Sequence, residues 1–350
     1  MRRQRLKDVN IPGASGQRLG VAAIVSGVEH RETKTGSKMT TFKMMDGAVK
    51  RTCTVFSPSN MVLEKLNNSA GHVMNIVFDV KPYKDGEDGI SCILYDIDYT
   101  AVEDCWNFDE FVNSIENKEY YVQTLNTYLG YCSGTIYGEI ARHLITKYWA
   151  LYSTIPAASS MHHNLRGGLL QHSVSVAMLC LSDYNTYQAI YGEDLINYAL
   201  LLSGALLHDI GKCIELESDA AGNASYSEAA VLRNHTMIGI SEVIKAATAL
   251  GFVEYPEINE LVHLIASHHG KAEWGAMVEP RMVEAMILSS ADERDALVNK
   301  FNRELGGDTT AQTKTIWGRG GMEAYAKSVG LGQAKANYSE FTGLVEETEQ

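Results

Sequence analysis

Apolar and polar positions keep one rhythm up to about residue 100 of this chain and a different one beyond it. Before that point the apolar runs are short and bounded by turn residues. Leu19 to Val28 is apolar and is followed by Lys34-Thr35-Gly36-Ser37-Lys38. Met39 to Met45 alternates, with Phe42 and Met44 set against Thr41 and Lys43. Asp46-Gly47 is a hairpin signal, and Lys50 to Phe56 is the returning strand. Met61 to Leu66 predicts a short helix after Ser57-Pro58-Ser59-Asn60. His72 to Val80 and Ile90 to Ile97 are two more strands, parted by Lys84-Asp85-Gly86-Glu87-Asp88-Gly89.

Three strands, a short helix and two strands is the order of a five-stranded OB β-barrel, here assigned to residues 15–100. Such barrels hold single-stranded nucleic acid on one face with basic and aromatic side chains. The candidates are Arg31, Lys34, Lys38, Phe42, Lys43, Lys50, Arg51 and Phe56. The competing assignment puts Phe42 and Phe56 in the barrel core and leaves the cations merely solvated.

From Ala101 the period becomes helical. Helices are predicted over Phe108 to Leu129 and Tyr137 to Tyr152, then a break at Ile155-Pro156-Ala157-Ala158 and a polar loop from Ser159 to Gly168. Leu169 to Leu181, Asp194 to Ile210, Glu228 to Leu250, Ile258 to Gly270 and the run Met282 to Leu288 continue the pattern. The Asp194–Ile210 segment is apolar on nearly every face, which places it in the middle of a domain; Gly211 is its expected C-cap. The fold class is therefore α+β and multidomain: the barrel, an all-α domain over 101–305 and a C-terminal extension over 306–350. Within the extension, 306–310 and 318–321 read as loops, and the acidic 344–350 is expected to fray.

The chain of 350 residues is 45% hydrophobic and 21% charged, the composition of an ordinary globular protein. It has no apolar run near the roughly 20 residues of a membrane helix. Six scattered cysteines without a Cys-x-x-Cys pair fit free thiols in a reducing compartment. With a basic start that lacks the apolar core of a signal peptide, a cytoplasmic protein is expected. The net charge of −13 is unevenly spread. The chain holds 30 Lys+Arg against 43 Asp+Glu; residues 1–100 take 14 against 11, leaving 16 against 32 for the rest. A mildly basic module on an acidic body is what a substrate grip would need.

The chemistry lies in the helical half. Leu206-Leu207-His208-Asp209-Ile210-Gly211-Lys212 sets a histidine and an aspartate side by side at the end of a buried helix, where an unpaired charge is costly. Each neighbouring helix also turns a polar residue to its apolar side: His172 among Leu169, Val176 and Leu179; His235 among Val231, Leu232 and Ile238; His268 or His269 after Leu264 and Ile265; Asp292 between Leu288 and Ala296. One such histidine is usually a hydrogen-bonded core residue. Five helices in succession are hard to explain by packing, and imidazole and carboxylate ligands without cysteine suit Mn, Fe, Zn or similar divalent ions.

The order His172, His208-Asp209, His235, His268, Asp292 resembles the HD-domain metal-dependent phosphohydrolase superfamily. The chain is most similar to its YhaM family of 3'-5' exoribonucleases, an OB fold joined to an HD domain. The resembling stretches are Pro156-Ala157-Ala158, His162-His163, Arg166-Gly167-Gly168-Leu169-Leu170-Gln171-His172, Gly204 to Lys212, and Ser267-His268-His269-Gly270.

The resemblance implies two divalent ions, manganese first, with magnesium, cobalt or iron as alternatives. His172, His208, Asp209 and Asp292 would hold one, and Asp209, His235 and His268 the other. Periodicity does not choose between His268 and His269; the resemblance selects His268 and leaves His269 to a supporting or phosphate contact. Two such ions activate a bridging water and clamp a phosphate. Lys212 would neutralise a phosphate oxygen, with Arg166 and Lys271 as further phosphate contacts and Lys43 and Arg51 on the barrel. The expected activity is 3'-5' exonuclease cleavage of single-stranded RNA or DNA to nucleoside 5'-monophosphates, by a non-membrane protein that could be a homo-oligomer. Its rivals are a small-nucleotide hydrolase whose barrel serves assembly, a di-iron oxygenase, and an adaptor with a structural metal.

Overall fold

The computed structural model describes residues 4–101, 104, 106–158, 163–192, 195–305, 312–316 and 322–326. Its N-terminal part comprises β1 (Gln4–Arg5), β2 (Arg18–Glu32), β3 (Lys38–Asp46), β4 (Val49–Phe56), α1 (Asn60–Asn67), β5 (Met74–Pro82) and β6 (Ile90–Tyr99). The sheet runs β1-β2-β3-β4-β6-β5, and β2 pairs again with β5 to close it. A closed five-stranded barrel with a helix between its third and fourth strands is the OB arrangement. Its strand β2 can serve both neighbours because it bends. Residues 18–23 pair with β5 and residues 24–32 with β3, with a bulge between Ser26 and Glu29 where Gly27 takes φ +57°. The Asp46-Gly47 hairpin is present, with Gly47 at φ +61°.

The unbroken apolar run in β2 has a physical cause. Val21, Ala23 and Val25 enter the barrel core, while Ala22 and Ile24 point outward into a second apolar cluster with Met45, Val73, Phe111, Val112 and Ala221. Both faces of that stretch are buried, so it does not alternate. The second cluster is the seam between barrel and helical domain. It also explains why the expected helix from Phe108 is interrupted. Phe108–Phe111 is a 3-10 turn, Val112 and Ser114 bridge to Gly47 and Arg166, and α2 (Lys118–Tyr131) starts only after Asn117 at φ +50°. Phe111 and Val112 are drawn into the seam rather than wound into a helix.

The helical part continues with α3 (Ile136–Tyr152), α4 (Gly168–Tyr191), α5 (Tyr198–Leu207), α6 (Lys212–Glu215), α7 (Glu228–Leu232), α8 (His235–Leu250), α9 (Glu257–Ser267) and α10 (Val283–Leu305). As expected, α5 is the central helix: Leu201, Leu202, Leu206 and Leu207 are all fully buried, each burial stabilising by roughly 1.5–3 kcal/mol. The predicted helix over Glu228–Leu250 is divided, because the Asn234 side chain accepts from Met237 N at 3.0 Å and starts α8 afresh with His235 in its first turn.

A two-stranded insert, β7 (Leu216–Ser218) and β8 (Ala224–Tyr226), was not legible as strands. Its tip reaches the barrel: Ser26 Oγ donates to Asp219 at 2.8 Å, Asn223 Nδ2 donates to Ser26 at 2.6 Å, and Lys50 Nζ donates to Asn223 at 3.0 Å. Residues 297–350 form a separate unit whose described part includes a hairpin of β9 (Gln312–Ile316) and β10 (Met322–Ala326). The loops expected at 306–310 and 318–321 and the acidic 344–350 lie outside the described residues, as does His162. Among the described residues no helix is long and apolar enough to cross a membrane.

Candidate metal centre

His208 and Asp209 follow directly on the last turn of α5, both almost fully buried. The chain then turns through Ile210 and Gly211 into α6. Gly211 is not the left-handed cap expected of it: its φ is −63°. Glycine is required there for closeness, since a Cβ would lie 1.9 Å from the His235 carbonyl oxygen. The start of α8 is thereby pressed against the His-Asp turn, and His235 is delivered to Asp209.

In four histidines Nδ1 is committed to an acceptor and therefore carries the proton. His208 Nδ1 donates to the Ala205 carbonyl at 2.8 Å, and His268 Nδ1 to that of Ile265 at 2.7 Å. Both carbonyls belong to the last turn of a helix and have no intrahelical partner to lose. His172 Nδ1 donates to Asp295 Oδ2 at 2.7 Å, and His235 Nδ1 to Glu215 at 3.1 Å. The four Nε2 atoms are left to converge on Asp209 and Asp292.

They do so in two groups. His172 Nε2 lies 3.1 Å from Asp292 Oδ1, 3.2 Å from His208 Nε2 and 3.4 Å from Asp209 Oδ2. On the other side, His235 Nε2 is 3.5 Å and His268 Nε2 3.8 Å from Asp209 Oδ1. Asp209 thus turns one oxygen to each group. Ligands bonded at about 2.0–2.2 Å to one ion sit roughly 3.0–3.6 Å apart, which these spacings match except that of His268, slightly longer at 3.8 Å. Among the described residues, Asp209 Oδ1 and His268 Nε2 are buried without a hydrogen-bond partner, and such orphaned atoms call for an explanation. A cation supplies it, so the donor set fits a divalent metal.

The electrostatics point the same way. Burial opposes charge on His172, but Asp292, Asp295 and Asp209 outweigh it and hold its pKa up at about 10. Burial, with His269 and His208 nearby, keeps His268 neutral. His269, also buried, is lowered to about 4. Asp209, Asp292 and Asp295 stay ionised against burial, Asp209 through Lys212 and His208, Asp292 through His172 and His208, and Asp295 through His163 and His172.

The structure therefore brings together His172, His208, Asp209, His235, His268 and Asp292. His269 joins them, its Nε2 3.0 Å from that of His235. Lys212 is buried with its ammonium on Asp209 Oδ2 at 2.6 Å. The other cations are differently engaged. Arg166 pairs with Asp109 at 2.6 Å and Arg51 with Asp88 at 2.7 Å; Lys271 lies over the Trp274 ring at 4.6 Å; Lys43 is exposed on β3. Phe42 belongs to the barrel core, whereas Phe56 is 54% exposed. Sequence reasoning missed Glu215 and Asp295. Only the Asp292–Asp295 spacing, three residues on one helix face, could have flagged the latter.

A histidine, a His-Asp pair and a distal aspartate carried on successive helices are the pattern of an HD domain, and residues 169–297 match the HD domain family model. Two curated relatives are similar over 167 residues. They are the 3'-5' exoribonuclease YhaM of Geobacillus sp. (strain WCH70), 40% identical over 48% of this chain and 49% of that protein, and that of Bacillus pumilus (strain SAFR-032), 38% identical over 48% and 50%. The chain thus spans about half the length of the curated relatives it matches. Among solved structures, the mitochondrial single-stranded DNA binding protein Rim1 of S. cerevisiae aligns with 24% of this chain and 94% of its own, at 12% identity and a TM-score of 0.21, too slight a likeness to build on.

Proposed function

We propose that this chain is a metal-dependent 3'-5' exonuclease of single-stranded RNA, with single-stranded DNA as a second substrate, releasing nucleoside 5'-monophosphates. The observation that carries the reading is Asp209, one carboxylate oxygen toward each of two histidine groups. His172, His208, Asp209 and Asp292 would hold one divalent ion, and Asp209, His235 and His268 a second, with manganese the first choice. Two such ions supply an activated water and neutralise a phosphate. The chain's own residues do the rest. Lys212 holds Asp209 in place, Glu215 orients His235, and His269 stands beside His235 for a phosphate contact. The relatives named 3'-5' exoribonuclease support the direction of cleavage.

The barrel is the proposed grip. Lys43 is paired across the sheet with Ser26, the residue that meets the β7–β8 tip, and Lys50 reaches that same tip. A Cβ on Gly222 at the tip would stand 3.3 Å from the Arg166 side chain, so the tip lies close beside it. Three cations therefore flank an insert whose root, Glu215, holds His235, a track by which a phosphate backbone would pass from barrel to metal centre. Arg51 and Lys271 are proposed as further substrate contacts. A cytoplasmic location fits the buried cysteines Cys53, Cys92, Cys132, Cys180 and Cys213, which form no disulfide among the described residues.

One observation favours a second reading, hydrolysis of a small nucleotide with the barrel serving assembly into a homo-oligomer: Arg51 and Arg166 already have carboxylate partners. End-labelled RNA and DNA incubated with Mn²⁺, Mg²⁺ or chelator separates the two. A metal-dependent ladder shortening from the 3' end is expected; hydrolysis of small phosphodiesters with long strands left intact would replace the exonuclease by the hydrolase.

A further inference from the structure

Behind His172 lies a linked set of side chains that the proposed reaction does not use. Asp295 Oδ2 accepts from His172 Nδ1 at 2.7 Å and lies 2.8 Å from His163 Nε2. His163 Nδ1 lies 2.9 Å from Gln171 Oε1, and Gln171 Nε2 donates to Tyr121 at 2.9 Å. His163 is 4% exposed. Its backbone sits at φ +48°, a region costing a non-glycine residue about 1–3 kcal/mol. The surroundings hold it there: its carbonyl accepts from Ala157 N at 3.2 Å and Leu165 N at 2.9 Å. A Cβ on Gly168 would stand 1.9 Å from that same oxygen, so only glycine lets α4 begin so close.

We infer that Asp295, seated by the strained His163, is the positioning residue that sets the ring orientation of His172 and so the affinity of the ion that His172, His208 and Asp292 would share. The inference rests on the metal-dependent reading. Its physical basis is directional. An imidazole on a long helix can rotate about two side-chain bonds, and a ligand must present one nitrogen within a few tenths of an ångström. The carboxylate behind it fixes tautomer and rotation together, and its charge strengthens the donor on the far side. His208 and His268 are fixed by a carbonyl of their own helix, and His235 by Glu215 at the end of α6. His172 is fixed from α10, the helix that also carries Asp292. Asp292 and Asp295 thus hold the two sides of one ring, and His163 ties the loop before α4 to the same carboxylate.

The test is calorimetric titration of Mn²⁺ into the full chain, with circular dichroism and thermal melting alongside. Asp295→Ala should weaken one ion by roughly 10–100-fold and spare the other. Asp295→Asn keeps the shape and an acceptor oxygen and should recover part of that loss. His163→Gln should give a smaller shift of the same ion. Arg294→Ala, which breaks the neighbouring surface pair with Asp183, should change neither affinity. A merely structural Asp295 would lower the melting temperature and leave affinities alone. The inference is overturned if folded Asp295→Ala or Asp295→Asn takes up both ions as the wild type does, or weakens both equally. If the wild type itself binds no divalent ion, the metal-dependent reading falls and takes the inference with it.

Discussion

Asp209 Oδ1 and His268 Nε2 face each other at 3.8 Å, both buried and neither with a hydrogen-bond partner among the described residues. Two such atoms left bare would each cost on the order of 1–3 kcal/mol. A cation between them removes that cost, so metal uptake should stabilise the fold. Added Mn²⁺ is expected to raise the melting temperature and chelator to lower it. A melting temperature indifferent to both would count against the assignment of this pair.

Asp209→Ala should lower metal stoichiometry and reduce phosphodiester cleavage more than roughly 100-fold, beyond the cost of losing a group that merely supports a ligand. Rates on labelled RNA, with circular dichroism to show folding, give the comparison. Full activity in the folded variant would rule out Asp209 as the shared ligand.

His235→Ala removes a donor from one side of Asp209 only. One ion should remain while most activity is lost, as read by elemental analysis paired with rates. A variant that is as active as the wild type, with the wild type itself carrying one ion, would refute the two-ion arrangement.

Lys43→Glu places an acidic group on the exposed face of β3. Binding of long single strands should weaken, and its dependence on salt should flatten by about one charge, while hydrolysis of a small phosphodiester stays unchanged. Equal loss on both substrates would show that the barrel is not the grip.

Glu242 joins α3 to α8 through Lys147 at 2.7 Å and Tyr148 at 2.6 Å, with Lys245 also at 2.7 Å, and is only 5% exposed. Burial raises its pKa, but these three partners lower it from 4.5 to about 2. A depressed carboxylate contributes stability above its unfolded pKa and loses it as pH falls through the folded one. Glu242→Gln should therefore cost about 1–3 kcal/mol at pH 7, and the gap should close between pH 4.5 and about 2. Denaturant titrations of both proteins across that range would reveal a constant gap if the ion pairs contribute nothing.

What the amino-acid sequence determined by itself was whatever repeats locally. Alternation, the Asp46-Gly47 turn and the break at Ser57-Pro58-Ser59-Asn60 placed the barrel strands and α1, and an all-round apolar run made α5 the centre of the helical domain. Helical spacing put His172, His208, Asp209, His235 and Asp292 on buried sides. Tertiary structure decided what depends on residues distant in sequence. Phe108 to Phe111 follow helical periodicity yet fold into the seam, because apolar partners on β2 outweigh one more turn of helix. Gly211 looks like a cap and is a point of close approach, which only the path of α8 reveals. The β7–β8 insert finds its partners, Ser26 and Lys50, more than 150 residues away. His268 and His269 share an apolar setting in sequence, and both rings prove to enter the centre, one against Asp209 and the other against His235. Glu215 and Asp295 are ordinary surface-type acids by sequence, and only the approach of a histidine from another segment gives each its role. Periodicity records which side of an element is buried; it carries no record of which atom of another element will be waiting there.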